Sequence, residues 1–412
     1  MNGEILFLSH RIPFPPNRGD KIRSHHVLCH LAGLAPVHVA TLADDAADMA
    51  HEPELAALAA SHRLVLRRKS LVRSGMEALA TGLPVSLAAF HDAALAQYVQ
   101  QTLADRPIGT IYAFSGQMGQ YIPASFKGQV IYDFVDVDSA KFEAYGEAGS
   151  GPRAWIDTRE GRLLAAEEAR LARRADVSLF VSNEEAALFR ARLLPQDRLE
   201  CEVRALRNGI DAALFDPGKV VPAAAMTAAQ SPRLIFTGQM DYAPNIEAAR
   251  RVIERLLPII RKTCPEASFH VVGRNPPESL KALGGTPGVV IHGAVDDMRS
   301  YLAAADLALV PLELARGVQN KVLEAMAMQL PVVLTPEAAT GIGGSDGRHY
   351  VVADSDEDLA RCITDLATDH ARRRAIGQAA RDFVIEKLSW PATLAPLSDM
   401  LGLAETAARD AA

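Results

Sequence analysis

Cysteine is scarce. Four residues, Cys29, Cys201, Cys264 and Cys362, are scattered along 412 with no C-x-x-C pair among them. That spacing argues against a zinc site and a disulfide framework and fits a reducing compartment. Long hydrophobic runs are lacking too. The N-terminal stretch MNGEILFLSHRIPFPP has an apolar run only from Ile5 to Leu8, far short of a signal-peptide core or of the ~20 residues of a membrane span. It reads as a buried strand of a cytoplasmic protein. Positive charge is not in excess: 43 Lys plus Arg stand against 50 Asp plus Glu, a net charge of −7. This speaks against a general nucleic-acid role, which needs a concentrated positive face. The twelve histidines offer no H-E-x-x-H spacing. No G-x-G-x-x-G follows the first strand, which weakens a dehydrogenase reading.

What is present is the material of two cores. The length exceeds what one hydrophobic core serves and implies two domains of roughly 150 to 220 residues, and 49% hydrophobic with 23% charged residues is an ordinary globular composition. Short β-rich runs alternate with helix-length amphipathic stretches, the pattern of parallel strands joined by helical crossovers. Strands are expected at 4–8, 37–41, 64–66, 110–114, 130–134, 177–181 and 203–206. The pattern restarts at 234–237, 268–272, 289–292, 307–311 and 331–334, with helices such as 245–262 between. The fold class is therefore α/β, with two doubly wound parallel sheets in tandem. The segment DPGKVVPAAAMTAAQSP, 216–232, reads as a linker from its prolines and small residues. The domains expected are 1–215 and 233–388, with a final helix over 389–412 opened by Ser-Trp-Pro and able to pack back across them.

The stretch richest in chemistry is PLELARGVQNKVLEAMAMQLP, 311–331. A strand ends there, a polar loop with Gly317 follows, and a helix begins near Val318 or Gln319, whose free amides attract an anion. Lys321 and Glu324 lie three apart on one face of that helix, so a cation for phosphate and a carboxylate for sugar hydroxyls point the same way. An ordinary surface ion pair has the same spacing. The loop PFPPNRGDKIRS after the first strand puts Gly19 at a helix start, where backbone can approach a ligand; a tight strand-to-helix turn reads equally. Its Arg18 and Lys21 are either cations facing that ligand or solvated loop charges. Asp133, Asp136 and Asp138 cluster at a strand end and read as N-caps and partners of acceptor hydroxyls rather than as metal ligands. His10, His25 and His26 read as packing residues, and SGQMG, 115–119, holds no evident base. Arg63, Arg67, Arg68, Lys69 and Arg73, interleaved with apolar residues, fit either an edge strand with solvated charges or contact with anionic lipid.

Several segments in a fixed order resemble the retaining glycosyltransferases of family 4. These are VSNEEAALF, RNGIDAALFDP, FTGQMDYAPN, FHVVGRNP, HGAVDDMRSYLAAADLALVP and KVLEAMAMQLPVV. The resemblance runs over nearly the whole chain and implies the B-type glycosyltransferase architecture, two Rossmann-like domains facing across a cleft. More narrowly, ILFLSHRIPFPPNRGDKIRS, DFVDVDSAKF and ARGVQNKVLEAMAM look like the sugar transferases associated with the exosortase and PEP-CTERM sorting system, which implies exopolysaccharide assembly. A nucleotide-diphosphate-sugar donor is implied, with a saccharide acceptor on a lipid carrier at the inner face of the plasma membrane and no metal requirement. Carried over by motif, Glu324 is the second glutamate of E-x7-E and grips the nucleotide ribose. The first glutamate is replaced by Arg316. The run Gly238, Gln239, Met240, Asp241, Tyr242 lacks the cations many relatives place after the glycine, so Lys321 and Arg316 are left to stabilise the departing diphosphate. The donor site expected is Gly19, Gly238, Gly317, Val318, Lys321 and Glu324, with the base near Arg274, Asn275 and 293–295, Val295 included. Arg18, Lys21, Asp136 and Asp138 are expected on the acceptor side. A nucleotide-sugar-binding scaffold and a same-fold sugar epimerase remain as alternatives.

Overall fold

The computed structural model describes residues 3–315 and 317–402. The chain divides into two compact units, one of residues 1–208 with 393 onward and one of 209–392. Each is built on one wholly parallel sheet, as the alternating pattern requires.

In the first unit the strands are β1 (Glu4–Ser9), β2 (Val37–Ala43), β3 (Ser61–Leu66), β4 (Ile108–Phe114), β5 (Gln129–Val135), β6 (Val177–Phe180) and β7 (Val203–Ala205). Their order across the sheet is β3-β2-β1-β4-β5-β6-β7. Strands covered by helices on both faces read as continuous apolar runs, and β1 and β2 are buried almost throughout. The edge strand β3 is only partly covered, with Leu64 its one buried residue and Arg63 exposed, the pattern of a solvated edge. Beneath the sheet's carboxyl ends lies a buried polar knot. Arg23, 1% exposed, grips Asp133 through Nε (2.9 Å) and Nη2 (3.0 Å). Tyr112 donates to the same carboxylate at 2.7 Å, and Arg23 Nη1 reaches the Leu206 carbonyl and Asn208 Oδ1. Such a pair holds only because each lone pair and proton has a partner; removing one member strands a buried charge, at about 3–5 kcal/mol.

The second unit comprises β8 (Arg233–Thr237), β9 (Ser268–Val272), β10 (Val289–Gly293), β11 (Leu307–Val310), β12 (Val332–Leu334) and β13 (Val351–Val352) in the order β10-β9-β8-β11-β12-β13. The helix after β8 runs from Ala243 to Thr263 and widens into a π-turn over Val252–Leu256. Pro258 has no N–H to close the α-helical bond onto Glu254, which accounts for the widening there.

The boundary falls earlier than the sequence suggests. The segment 216–232 packs as part of the second unit: Met226 is fully buried, the Ala223 amide donates to the Ser300 carbonyl at 2.9 Å, and Arg381 Nη1 donates to the Phe215 carbonyl at 2.8 Å. The last helix, Trp390–Met400, joins the first unit from Thr393. There Leu394, Leu397 and Leu401 are buried, His30 Nε2 lies 3.2 Å from Ser398 Oγ, and Gln129 Nε2 donates to the Met400 carbonyl. Among the described residues no helix is long and apolar enough to cross a membrane.

Candidate functional site

In an open parallel sheet the crevice lies outside the carboxyl ends of the strands where their order reverses. In the second unit that point is between β8 and β11. A cavity of about 600 Å3 opens there, lined by the residues that follow β8, β9 and β10 and by the start of the helix Asn320–Ala327. Each strand leaves its end through a glycine. Gly238 follows β8 with φ +154°, and a Cβ on Gly273, after β9, would lie 1.6 Å from the Gly238 carbonyl oxygen. Only a residue without a side chain permits that approach. The two strand ends are tied by Gly238 N to Val272 O at 3.1 Å and Met240 N to Arg274 O at 2.8 Å.

Phe215, Val295, Met298 and Val318 form an apolar wall of the cavity, while Arg274, Lys321 and Glu324 supply charge. Lys321 is largely buried; its Nζ donates to Asn245 Oδ1 and lies 4.7 Å from the Phe236 ring centroid. Burial pulls its pKa down to about 8, with Glu324 opposing. The same burial raises the Glu324 carboxyl above its ordinary range, and Lys321 offsets part of that rise. A cation and a carboxylate one helical turn apart are thus both desolvated beside amides that start a helix, an arrangement suited to phosphate and hydroxyl groups.

Of the residues singled out from sequence, Gly238, Arg274, Val295, Val318, Lys321 and Glu324 meet on this wall. Gly317 immediately precedes it with φ +65°. Asn275 lies outside the wall in a left-handed conformation, its Nδ2 donating to Asp241 Oδ2 at 2.9 Å. Arg316 lies outside the described residues. The structure adds Asn245, Phe236 and Gly273. Pro244 in the first turn of its helix places Asn245 there as well, and the Pro-Asn pair closing FTGQMDYAPN was the signal available.

In the first unit the candidate groups lie among elements that follow the ends of β1, β2 and β5. Arg18 donates to Asp20 at 3.0 Å and to Asp44 at 3.1 Å, and Arg11 and Arg67 share the Asp44 carboxylate. Lys21 turns inward, 4% exposed, onto Asp48 and the Phe14 carbonyl. Nothing stands within 4 Å of a Cβ built on Gly19. Asp136 and Asp138 both accept from Lys141, at 2.7 and 3.4 Å, whereas Asp133 belongs to the Arg23 knot. His10 packs between Phe90 and Phe114, and burial lowers its pKa. Ser115 and Val135, just after β4 and at the end of β5, have φ of 76° and 71°, rare for any side chain and more so for a branched one. Among the described residues no group of three His, Cys, Asp or Glu is placed to hold a metal.

Residues 231–369 match the family described as Glycosyl transferases group 1. Over 250 residues the chain is 27% identical to a GDP-mannose-dependent α-(1-6)-phosphatidylinositol monomannoside mannosyltransferase of Mycobacterium tuberculosis; the match takes in 55% of this chain and 61% of that protein's length. Among solved structures, sucrose-phosphate synthase from Thermosynechococcus elongatus superposes with a TM-score of 0.59 at 18% identity, covering 98% of this chain and 100% of the other. Anabaena HepE in complex with UDP and glucose does so with a TM-score of 0.58 at 16% identity, covering 97% and 100%. These likenesses bear out the expected architecture of two tandem Rossmann-like units.

Proposed function

We propose that the chain is a retaining glycosyltransferase that takes a sugar from a nucleotide-diphosphate donor bound to the second unit and passes it to a saccharide acceptor. The observation that carries this reading is the cavity at the β8–β11 reversal, with the Lys321 ammonium and the Glu324 carboxylate one helical turn apart on its wall. Glu324 holds the ribose hydroxyls, the apolar wall of Val295, Met298 and Val318 receives the base beside Arg274, and Lys321 faces the diphosphate. Gly238 and Gly317 border that phosphate site, and Arg316 adds a second cation able to bind phosphate bidentately. As the sugar's anomeric carbon parts from the diphosphate, negative charge grows on the leaving oxygen. Interactions that strengthen in step with it lower the barrier. On the face the leaving group departs from, the acceptor hydroxyl bonds to the anomeric carbon and its proton passes to the departing phosphate oxygen, with Asp136 and Asp138 the hydroxyl's proposed partners. The M. tuberculosis relative is named for GDP-mannose and a phosphatidylinositol acceptor, and HepE is named in complex with UDP and glucose, which supports a nucleotide-sugar donor and a lipid-linked acceptor.

A lipid-borne acceptor in exopolysaccharide assembly is supported by one face of the first unit. On the helix Leu71–Thr81, Leu71, Val72, Met76 and Leu79 are all exposed, and so is Leu83 just beyond it. Arg159 donates to the Ala78 carbonyl at 2.9 Å, and Trp155 and Ile156, exposed one turn earlier on its helix, extend the apolar face. Arg68, Arg73 and Arg153 are exposed around it. Apolar side chains ringed by arginines suit an anionic lipid surface.

Purified protein incubated with a panel of nucleotide sugars and a membrane extract, with EDTA present throughout, should form a glycosylated lipid from one donor. Nucleotide binding without any transfer would favour the scaffold reading, which the arginine at position 316 also suggests. Transfer abolished by EDTA and restored by magnesium or manganese would bring a metal into the mechanism.

A further inference from the structure

We infer that Asn245 is a positioning residue whose side-chain oxygen fixes the Lys321 ammonium at the cavity wall without neutralising it, leaving the full unit of charge for the donor's diphosphate. This rests on reading the cavity as the donor site.

Both ends of the Asn245 amide are committed. Its Nδ2 donates to the Gln239 carbonyl at 2.8 Å, so the oxygen is the end that faces Lys321. Asn245 is 6% exposed, and the Phe236 ring lies close to the Lys321 ammonium, 4.7 Å from Nζ to the ring centroid. Gly238 makes room for the pair, because a Cβ there would stand 2.8 Å from Asn245 Nδ2 and 3.3 Å from Lys321 Nζ.

The choice of a neutral acceptor sets this cation apart. In the first unit Lys21 is held by Asp48, Arg23 by Asp133, and Arg11 by Asp20 and Asp44. Each of those charges is cancelled in place. Among the described residues Lys321 has no carboxylate within ion-pair distance. The charged groups on the cavity wall are Arg274 across the cavity, Glu324 on the same helix and Lys321 itself, with Tyr242 the other titratable group. An aspartate at 245 would orient the ammonium equally well and present the phosphate with a dipole instead of a charge. The cost of an uncancelled, desolvated ammonium is visible in its pKa of about 8.

The test is calorimetric binding of UDP, GDP, uridine and guanosine to the full chain at pH 7 and pH 9, for wild type, Asn245→Asp and Asn245→Ala. For the nucleotide that wild type binds, Asn245→Asp should weaken the diphosphate at least tenfold at pH 7 and leave the parent nucleoside unchanged. Wild-type affinity for the diphosphate should fall between pH 7 and 9 as Lys321 loses its proton, and Asn245→Asp should lack that fall, because the new carboxylate retains the proton. Asn245→Ala, which frees the ammonium but keeps its charge, should lie between the two at pH 7. Equal diphosphate affinity in wild type and Asn245→Asp at pH 7 overturns the inference, as does a parallel loss of diphosphate and nucleoside. A wild type that binds neither nucleotide overturns the donor-site reading and this inference with it.

Discussion

Lys321 and Glu324 occupy one turn of one helix, yet burial moves them in opposite directions: the ammonium's pKa falls to about 8 and the carboxyl's rises. Both shifts disfavour charge, so a ligand that restores good partners to both groups gains from each. If Glu324 holds the ribose as proposed, Glu324→Gln keeps the shape and removes a charge-assisted bond of about 1.5–3 kcal/mol. Nucleotide affinity should drop on the order of tenfold or more; calorimetry showing no change would free Glu324 from that role. If Lys321 acts on charge that develops as the diphosphate leaves, Lys321→Ala should lower kcat more than it raises the donor KM. Arg316→Glu, which restores the usual E-x7-E motif, should impair transfer. Steady-state kinetics with the native donor decide both, and full activity in either variant removes that residue from the proposed reaction.

At the scale of elements, most of the sheet was legible because strands buried on both faces must be written in Val, Ile, Leu and Phe. Of the thirteen strands among the described residues, twelve lie where apolar runs announce them, and the two-residue β13 is too short to make a run. The meeting of several residues at one cavity was legible because strand ends fix which residues come together: Gly238, Arg274, Val295 and Lys321 are far apart in sequence and line one cavity wall. Partners from distant elements were not legible. Lys21 looks like a free loop cation until Asp48 is folded against it, Asp133 looks like one of an acidic trio until Arg23 claims it, and no local composition reveals that Met226 is buried. Glu168 is a further case. It lies within a helix, Gly151–Ala172, that reads as amphipathic, yet it is 5% exposed and accepts from the Ser139 amide at 3.0 Å and hydroxyl at 2.6 Å, holding the start of the helix Asp138–Ala148. Burial raises its pKa to about 7, Ser139 counteracting. Between about pH 4.5 and 7 the folded chain retains a proton the unfolded chain has released, so stability contributed by this group is present below that window and is lost as pH rises through it. The loss is on the order of 1–3 kcal/mol. Denaturant titrations at pH 5 and pH 8 should show a smaller difference for Glu168→Gln than for wild type, and an identical difference would clear Glu168 of the effect.

For the whole molecule, net charge and local charge point different ways. A chain of net −7 is repelled by anionic membranes at long range, so attachment through the Leu71–Leu83 face needs apolar insertion as well as its arginines. Sedimentation with vesicles containing anionic phospholipid should therefore carry down the wild type, with much less of a Leu71→Glu, Met76→Glu variant and with only partial release by high salt. Equal sedimentation of the variant would move the contact elsewhere.

The division of the chain also bears on the order in which it is made. The second unit is one uninterrupted stretch, 209–392, whereas the first is assembled from two pieces that the ribosome delivers nearly two hundred residues apart. Until the second piece emerges, the surface that receives Leu394, Leu397 and Leu401 stays bare, and His30 and Gln129 lack their partners Ser398 and Met400. Of the two units, the one whose synthesis begins earlier is thus completed later. Nascent chains stalled with residue 392 clear of the exit tunnel should yield a protease-resistant second unit and a first unit still open to cleavage, and protection of the first should arrive only with the final helix.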